Sequence, residues 1–173
     1  MTAMVLPQSL PVPETGSLQE YLNSIQRIPV LSREEESELF ERYQKHEDLE
    51  AVRTIVLSNL RYVAFVARDY AGYGLPMEDI IQQGNLGLMK SVKKFDLSYG
   101  VRLVSFAVHW IKAEIHDYIL KNWKIVKVAT TKAQRKLFFN LRKSKQRIGW
   151  FNKDEVDQLA DDLDVKPGEV MEM

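Results

Sequence analysis

Aromatic and basic side chains are interleaved along one stretch of the chain, residues 93–127, and together they could bind a single strand of nucleic acid. Aromatic rings can stack on unpaired bases, at about 1–3 kcal/mol per base, while lysines and arginines contact phosphates. The aromatic members are Phe95, Tyr99, Phe106, Trp110, Tyr118 and Trp123, and the basic members are Lys93, Lys94, Arg102, Lys112, Lys121, Lys124 and Lys127. This pattern favours a single-strand platform over a duplex reader. Burial in a core is the alternative for all of these aromatic residues, including Phe106 and Trp110.

Polar residues recur at helical spacing within this stretch. They are Arg102, Ser105, His109, Lys112 and His116, at i, i+3, i+7, i+10 and i+14. Such spacing keeps side chains on one face of a helix. An adjoining face, suited to a core or to the walls of a pocket, carries Leu103, Phe106, Ala107 and Trp110. The sequence therefore predicts a helix with a polar face beside an aromatic one.

A second signal lies in residues 79–90, where Gly84 and Gly87 interrupt a helical pattern. A glycine inside a helix costs about 1 kcal/mol relative to alanine, and such a cost usually marks the close approach of another backbone. The glycines predict either a neighbouring helix or a partner protein at this point. Because Gln82, Gln83 and Asn85 stand between apolar residues here, a protein-binding face is a reasonable interpretation.

Signatures of catalysis are scarce. The chain has no cysteine, which excludes a disulfide framework, thiolate metal sites and a cysteine nucleophile. It also has no glycine-rich phosphate loop and no HExxH metal motif. His109 and His116 could share a helix face, but no third metal ligand accompanies them, so we expect structural or surface histidines. We expect neither an enzyme nor a metal or cofactor site.

Charge is distributed unevenly along the chain, although the net charge is zero. Residues 1–50 hold four basic and ten acidic side chains, and residues 151–173 hold two and eight. Residues 101–150 hold twelve basic and two acidic ones, and no acidic residue occurs from Tyr118 to Lys153. A basic block between acidic ends indicates a polyanionic partner for one part of the chain. A solvated basic helix face is the alternative.

The periodicity of the apolar residues predicts an all-α fold. Helices are expected to start near residues 17, 32, 48, 76, 102 and 131, with capping-box patterns at Ser17 and Ser32 and a short helix in the tail. We expect a flexible arm at 1–16, a helical domain at 17–130 and further helices at 131–173. No apolar run approaches the roughly 18–20 residues of a membrane span, and the N-terminus lacks the basic region of a secretory signal. A soluble, intracellular protein is therefore expected.

These segments, in this order, resemble bacterial RNA polymerase sigma factors of the housekeeping-related family. The matching segments are residues 59–61, 79–90, 94–95 and 105–112. Within the family, the chain resembles most the heat-shock sigma factor, whose box matches Gln134, Arg135, Lys136, Leu137, Phe138, Phe139, Asn140, Leu141 and Arg142. The resemblance implies a domain that binds core polymerase and promoter DNA, followed by the start of a third region. We expect a fragment, or a truncated member, that lacks the domain reading the −35 element.

The resemblance also implies roles for matching positions. The clamp coiled coil of the polymerase's largest subunit would be bound by Asp79, Ile80, Ile81, Gln82, Gln83, Asn85, Leu88 and Met89. Unpaired nontemplate bases of the promoter −10 element would be held by Phe95, Tyr99, Phe106, His109 and Trp110. Sugar-phosphate or downstream-base contacts would come from Asn59, Arg102 and Ser105. Lys112 and His116 would face the upstream edge of the duplex. Phosphates would be contacted by Lys121, Lys124, Lys127 and Lys132, and Lys94 belongs to the same DNA-binding set.

Two positions depart from the family pattern. His109 stands where housekeeping members have the first of two adjacent tryptophans, which fits a different promoter preference. Gln83 stands where glutamate is common, so we expect a modest change in affinity for polymerase.

The sequence thus predicts a cytoplasmic bacterial factor that binds core polymerase and melts the −10 element to start transcription of heat-shock genes. The alternative is a module that docks on polymerase or on a chaperone without reading DNA. Control by chaperones and a regulatory protease is implied by the heat-shock resemblance alone.

Overall fold

The computed structural model describes residues 18–122, 131–144 and 153–171. Within these ranges the chain forms helices and no strand, which confirms the all-α prediction. The helices are α1 (Leu18–Arg27), α2 (Arg33–His46), α3 (Leu49–Arg68), α4 (Met77–Lys94), α5 (Leu103–Asn122), α6 (Lys132–Ser144), α7 (Lys153–Leu163) and α8 (Pro167–Met171). A 3-10 turn, Leu97–Tyr99, connects α4 to α5. None of the described helices combines the length and apolarity that a membrane crossing requires.

Several helices begin where local sequence signals placed their first turns. Ser32 and Glu35 form the capping box of α2: Ser32 Oγ accepts from the Glu35 N–H at 3.1 Å, and Glu35 Oε2 accepts from the Ser32 N–H at 2.8 Å. Asp48 caps α3 by accepting from two N–H groups of its first turn. Pro76 immediately precedes the first residue of α4. The cap predicted at Ser17 lies outside the described residues.

The chain divides into two compact units, one extending to Ile119 and the other starting at Leu120. This division falls inside α5, earlier than the boundary expected after residue 130. Residues 123–130 lie outside the described ranges, so the predicted boundary stays a prediction.

The first unit is built around α3, which is buried along most of its length. α5 contributes its residues at four-residue intervals to the core, namely Leu103, Ala107, Ile111, Ile115 and Ile119. These five side chains form one narrow stripe, because positions four apart lie on the same face of a helix. The other faces of α5 therefore lie outside the core stripe.

The two glycines of α4 allow close packing inside the first unit. A Cβ atom on Gly87 would lie 2.6 Å from the Trp110 backbone oxygen and 2.7 Å from Ile111 Cα, so α4 and α5 meet backbone to backbone there. A Cβ atom on Gly84 would lie 2.5 Å from Val63 Cγ1 of α3. Of the two explanations left open by the sequence, neighbouring helices are the one that the structure shows.

The second unit has a small core of its own, formed by α6, α7 and α8. Its buried members are Leu137, Val156, Leu159, Ala160 and Val170. A turn through Asp164, whose φ is 51°, separates α7 from α8. α7 is the short helix expected in the tail, and this turn and α8 follow it.

Candidate nucleic-acid interface

Four aromatic rings follow one another from the end of α4 to the middle of α5. We call Phe95, Tyr99, Phe106 and Trp110 the aromatic run. Ring centroids lie 6.2 Å apart between Phe95 and Tyr99, and 5.7 Å apart between Tyr99 and Phe106. The Phe106 and Trp110 centroids are 6.3 Å apart. Tyr99 is 55% exposed, and Phe106 and Trp110 are half-buried, so three of the four rings have a solvent-accessible side.

A lysine completes the accessible side of this run. Lys94, the last residue of α4, places Nζ 4.6 Å from the centroid of the Trp110 ring. A cation over an exposed aromatic face contributes about 0.5–1 kcal/mol. The pair therefore sets a positive charge beside a stacking surface, which is the combination that an unpaired nucleotide requires.

Phe95 has a supporting role and does not line the accessible surface. Its side chain is only 5% exposed, and its ring centroid lies 4.8 Å from that of Phe40 on α2 and 5.6 Å from that of Phe106. The prediction of direct contact between Phe95 and a base is wrong, because neighbouring rings cover it. Phe95 packs beneath Tyr99 and Phe106 and supports their rings from the core side.

The polar stripe of α5 reaches the surface beside the aromatic run. Ser105, His109 and Lys112 are exposed, as is Lys121 near the end of the helix. His116 is half-buried, and its Nε2 lies 2.8 Å from Tyr70 Oη, so it already has a hydrogen-bond partner within the unit.

Arg102 belongs to the stripe by spacing, but an acidic residue of α2 binds it. Its Nη2 lies 3.1 Å from Oε2 of Glu36, which is 4% exposed, and Nη2 also donates to the Leu31 carbonyl at 2.9 Å. These contacts use Nε and Nη2, whereas the Arg102 side chain is still 38% exposed, so its predicted sugar-phosphate or downstream-base contact stays a prediction. Glu36 could not be identified from local sequence patterns, because its partner Arg102 lies 66 residues away in the chain.

Asn59 lies in the floor of a groove. It is 7% exposed, and its Nδ2 donates to the Ile55 carbonyl at 2.7 Å and to Ser58 Oγ at 3.3 Å. The groove, of about 630 Å³, also has walls from α1 and from Val104 at the start of α5. A contact between Asn59 and DNA stays a prediction that depends on access through this groove.

The polar side of α4 forms a second exposed surface. Its members in contact with solvent are Asp79, Gln82, Gln83, Asn85, Leu86 and Met89. Leu86 was not among the residues predicted to bind polymerase. Leu86 and Met89 are 42% and 41% exposed, so they could act as apolar anchors within a polar surface. We call these six residues the α4 face.

Three residues predicted to bind polymerase are instead core residues. Ile80, Ile81 and Leu88 are 0%, 2% and 1% exposed. These three side chains cannot contact a partner directly in this fold, because neighbouring residues of the same unit surround them. The four-residue spacing from Ile80 through Gly84 to Leu88 was the signal that could have identified the inward side.

Hydrogen bonds fix several members of the α4 face. Tyr118 Oη donates to Asp79 Oδ2 at 3.0 Å, and Asn85 Nδ2 donates to Tyr21 Oη at 3.2 Å. Desolvation, followed by the bond to the Asp79 carboxylate, raises the pKa of Tyr118. The surface is thus held by contacts from α1 and α5.

The predicted heat-shock box forms most of α6 in the second unit. Leu137 and Phe138 are buried, whereas Arg135 and Lys136 are exposed, and Phe139 and Asn140 are intermediate. Gln134 forms a capping box with Thr131, since each backbone N–H donates to the other's side-chain oxygen. Lys136 Nζ donates to the Leu163 carbonyl at 2.6 Å. The side chains of Leu141 and Arg142 lie outside the described part of the structure.

The remaining predicted phosphate ligands are described only in part. Lys132 is exposed at the start of α6, and Lys124 and Lys127 lie outside the described residues. Among the residues that are described, no three histidine or acidic side chains come together in a way that could hold a metal ion.

Comparison with known proteins assigns these surfaces to one family. Residues 55–125 match the family model for sigma-70 region 2, and residues 16–49 match the model for sigma-70 factor region 1.2. The chain belongs to the sigma-70 family. The aromatic run and the α4 face both fall within the region 2 match, whereas Glu36 falls within the region 1.2 match.

A curated relative extends this similarity along almost the whole chain. RNA polymerase sigma factor RpoH of Caulobacter vibrioides (strain NA1000 / CB15N) is 47% identical over 163 residues, which cover 91% of this chain and 55% of the relative. The chain therefore spans about half the length of that sigma-70 factor. The predicted resemblance to the heat-shock branch of the sigma factors is confirmed.

Proposed function

We propose that this sigma-70 family chain directs core RNA polymerase to promoters by holding unpaired nontemplate bases of the −10 element on the aromatic run. The observation that carries the proposal is the accessible side of Tyr99, Phe106 and Trp110, with the Lys94 amine over the last ring. Taking bases out of a duplex costs a few kcal/mol, and stacking returns about 1–3 kcal/mol per base.

Neighbouring polar residues would orient the captured strand. Ser105 and His109 lie on the exposed stripe of α5 beside the rings, so they would contact the bases and the fork. Lys112 and His116 lie further along α5 and would face the upstream duplex edge. Phosphates would be held by Lys94, Lys121, Lys124, Lys127 and Lys132.

Polymerase binding is assigned to the α4 face. The proposed partner surface is the clamp coiled coil of the largest subunit, with Leu86 and Met89 as apolar anchors and Asp79, Gln82, Gln83 and Asn85 as a polar rim. This arrangement supports the proposal because protein interfaces commonly combine a small apolar centre with a polar surround. The function proposed is a non-enzymatic one.

The biological setting follows the heat-shock resemblance. The genes served would be heat-shock genes, and the site of action would be the cytoplasm of a bacterium, where core polymerase transcribes. Control by chaperones and a regulatory protease is part of the same proposal and is supported by that resemblance alone.

Binding to a labelled nontemplate-strand −10 oligonucleotide tests the DNA part. Fluorescence anisotropy would be measured with the chain alone and with core polymerase added, each at two salt concentrations. We expect salt-sensitive, sequence-selective binding that strengthens with core, and a loss of at least fivefold in Phe106→Ala and Trp110→Ala, equivalent to about 1 kcal/mol or more of lost stacking. Tyr43→Ala, which removes an α2 ring outside the aromatic run, is the matched control. Wild-type affinity in both folded variants would contradict the assignment.

The exposed pair Leu86 and Met89 also supports a second candidate, a docking module that does not read DNA. Retention on heparin and on single-stranded DNA as a function of salt separates the two. The docking module predicts little retention at any salt concentration, whereas the DNA-reading proposal predicts retention that falls linearly on a log–log plot.

A further inference from the structure

Phe106 and Trp110, two of the four rings of the aromatic run, lie on α5, so the start of this helix helps to set their position. The N–H groups in the first turn of any α-helix lack partners within the helix and need acceptors from elsewhere. The first turn of α5 contains no acidic residue. Asp96, the nearest preceding carboxylate, caps the 3-10 turn by accepting from the Ser98 N–H at 2.8 Å.

An acidic residue of α2 supplies the missing acceptor. Glu36 Oε1 accepts from the Leu103 N–H, the first of α5, at 2.9 Å. Both Glu36 oxygens also lie 3.3 Å from Arg102 Nε, and Oε2 lies 3.1 Å from Arg102 Nη2. Glu36 is only 4% exposed, so its carboxylate depends on Leu103 and Arg102 for its hydrogen bonds rather than on solvent. A buried carboxylate with charged and backbone donors makes strong, directional hydrogen bonds.

Further contacts join the same two segments. Arg102 Nη2 donates to the Leu31 carbonyl at 2.9 Å, and Arg33 Nη2 donates to the Gly100 carbonyl at 3.0 Å. Residues 31–36 thus hold residues 100–103 at several points. Glu36 is the only one of the residues named here that bonds both the guanidinium and a backbone N–H of α5's first turn.

The position of this first turn decides where the aromatic run lies. Phe106 follows Leu103 by three residues, so a rotation or fraying of the first turn moves the Phe106 ring relative to Tyr99, 5.7 Å away. We propose that Glu36 is a positioning residue for DNA reading: it fixes the start of α5 through Leu103 and Arg102 and does not itself touch the DNA. This inference rests on the proposed function of the aromatic run.

The test uses Glu36→Ala and Glu36→Gln, with Glu38→Gln, an exposed glutamate of the same helix, as the control. We expect Glu36→Ala to weaken binding of the labelled nontemplate −10 oligonucleotide to the complex with core by at least tenfold. Glu36→Gln keeps an acceptor for the Leu103 N–H but loses the charge opposite Arg102, so we expect about a threefold loss. Binding to core polymerase should stay within twofold in all three variants, since the α4 face is unchanged.

A second readout reports on α5 without DNA. Hydrogen exchange of the amides at 103–106 should accelerate in Glu36→Ala and, to a smaller extent, in Glu36→Gln, but not in Glu38→Gln. Arg102→Met removes the same ion pair from its other side, and adding it to Glu36→Gln should weaken oligonucleotide binding by less than the product of the two single effects. Glu36→Gln carries the test if Glu36→Ala does not fold.

Two results would overturn the inference. Unchanged exchange at 103–106 would show that Glu36 does not hold the start of α5. Faster exchange with unchanged oligonucleotide binding would show that the hold has no consequence for reading. Failure of the proposed function is distinguishable, because the wild-type complex would then not bind the oligonucleotide, while the exchange measurement would still report on Glu36.

Discussion

Replacing Gly87 by alanine should push α5 away from α4 at the residue that ends the aromatic run. The added Cβ would lie 2.6 Å from the Trp110 oxygen, 2.7 Å from Ile111 Cα and 2.9 Å from the Ile111 nitrogen. All three atoms are backbone, so no change of side-chain rotamer can relieve the contact. Ordinary van der Waals contact starts near 3.4 Å. The helices would have to separate by about 0.8 Å at this point to restore it at the Trp110 oxygen.

The size of the effect follows from two opposing contributions. Alanine in a helix interior is about 1 kcal/mol more favourable than glycine. Overpacking a core contact costs about 1–3 kcal/mol, and a backbone neighbour places this case at the upper end. We therefore expect Gly87→Ala to lower the free energy of unfolding by about 2 kcal/mol. For a unit of about 100 residues, this corresponds to a fall in Tm of about 8 °C.

Thermal unfolding followed by circular dichroism measures this change, and Gly84→Ala provides the matched control. Gly84 lies on the same helix and gains the same helix propensity, but its Cβ would meet a side-chain atom, Val63 Cγ1, at 2.5 Å. Val63→Ala removes that atom, so the double variant with Gly84→Ala should be more stable than the two single effects predict. The same Val63 change should not rescue Gly87→Ala.

A Gly87→Ala protein that unfolds at the wild-type temperature or above would refute this reasoning, because the helix-propensity gain would then have met no opposing clash. Rescue of Gly87→Ala by Val63→Ala would refute it differently, by showing that the strain lies at a side chain. Oligonucleotide binding in the folded variant adds a functional check, since a displaced Trp110 should bind the −10 strand several-fold more weakly.

Two further predictions concern charge and pH. Lys94→Gln removes the cation over Trp110, so it should weaken oligonucleotide binding about two- to fivefold and reduce the salt slope by about 0.7. Lys93→Gln is the control, because it should leave the contact with Trp110 intact. Equal effects of the two changes on affinity would contradict a special role for Lys94. Burial, with a smaller contribution from the Asp69 charge, raises the pKa of Tyr70 to about 12 from 10.0. Because Tyr70 has a higher pKa in the folded protein than in the unfolded chain, its contribution to the free energy of unfolding is complete below about pH 10. This contribution is lost as the pH rises from about 10 to about 12. Tyr70→Phe should abolish that part of the Tm decline, and parallel Tm curves for the two proteins would contradict this explanation.

Features that depend on neighbouring residues were predictable from the sequence. The capping box at Ser32 and Glu35, the cap at Asp48 and the start of α4 after Pro76 all follow from signals within one helical turn. The aromatic run was predictable for a related reason. Phe106 and Trp110 are four residues apart on one helix, so helical geometry alone brings their rings together.

Features that depend on tertiary contacts were not predictable in the same way. Glu36 and Arg102 are 66 residues apart, and no local pattern distinguishes Glu36 from the other acidic residues of α2. The spacing of Arg102 indicated an exposed polar stripe correctly, but the buried carboxylate that binds its guanidinium belongs to another helix. Phe95 likewise is of a residue type that can stack on bases, and only the packing of Phe40 against it reveals a supporting role.

The backbone contact at Gly87 also links the two proposed surfaces. The α4 face and Gly87 lie on the same helix, so a partner that moves α4 moves the residue that touches Trp110. Side chains between helices usually absorb small shifts by changing rotamer, but none lies between Gly87 and the Trp110 oxygen. A displacement of α4 at this point must therefore reach the backbone that carries the last ring of the aromatic run. The proposed polymerase contact and the proposed base capture are thus joined by a backbone contact that no change of rotamer can relieve, which gives a physical reason to expect core to change the affinity for the oligonucleotide.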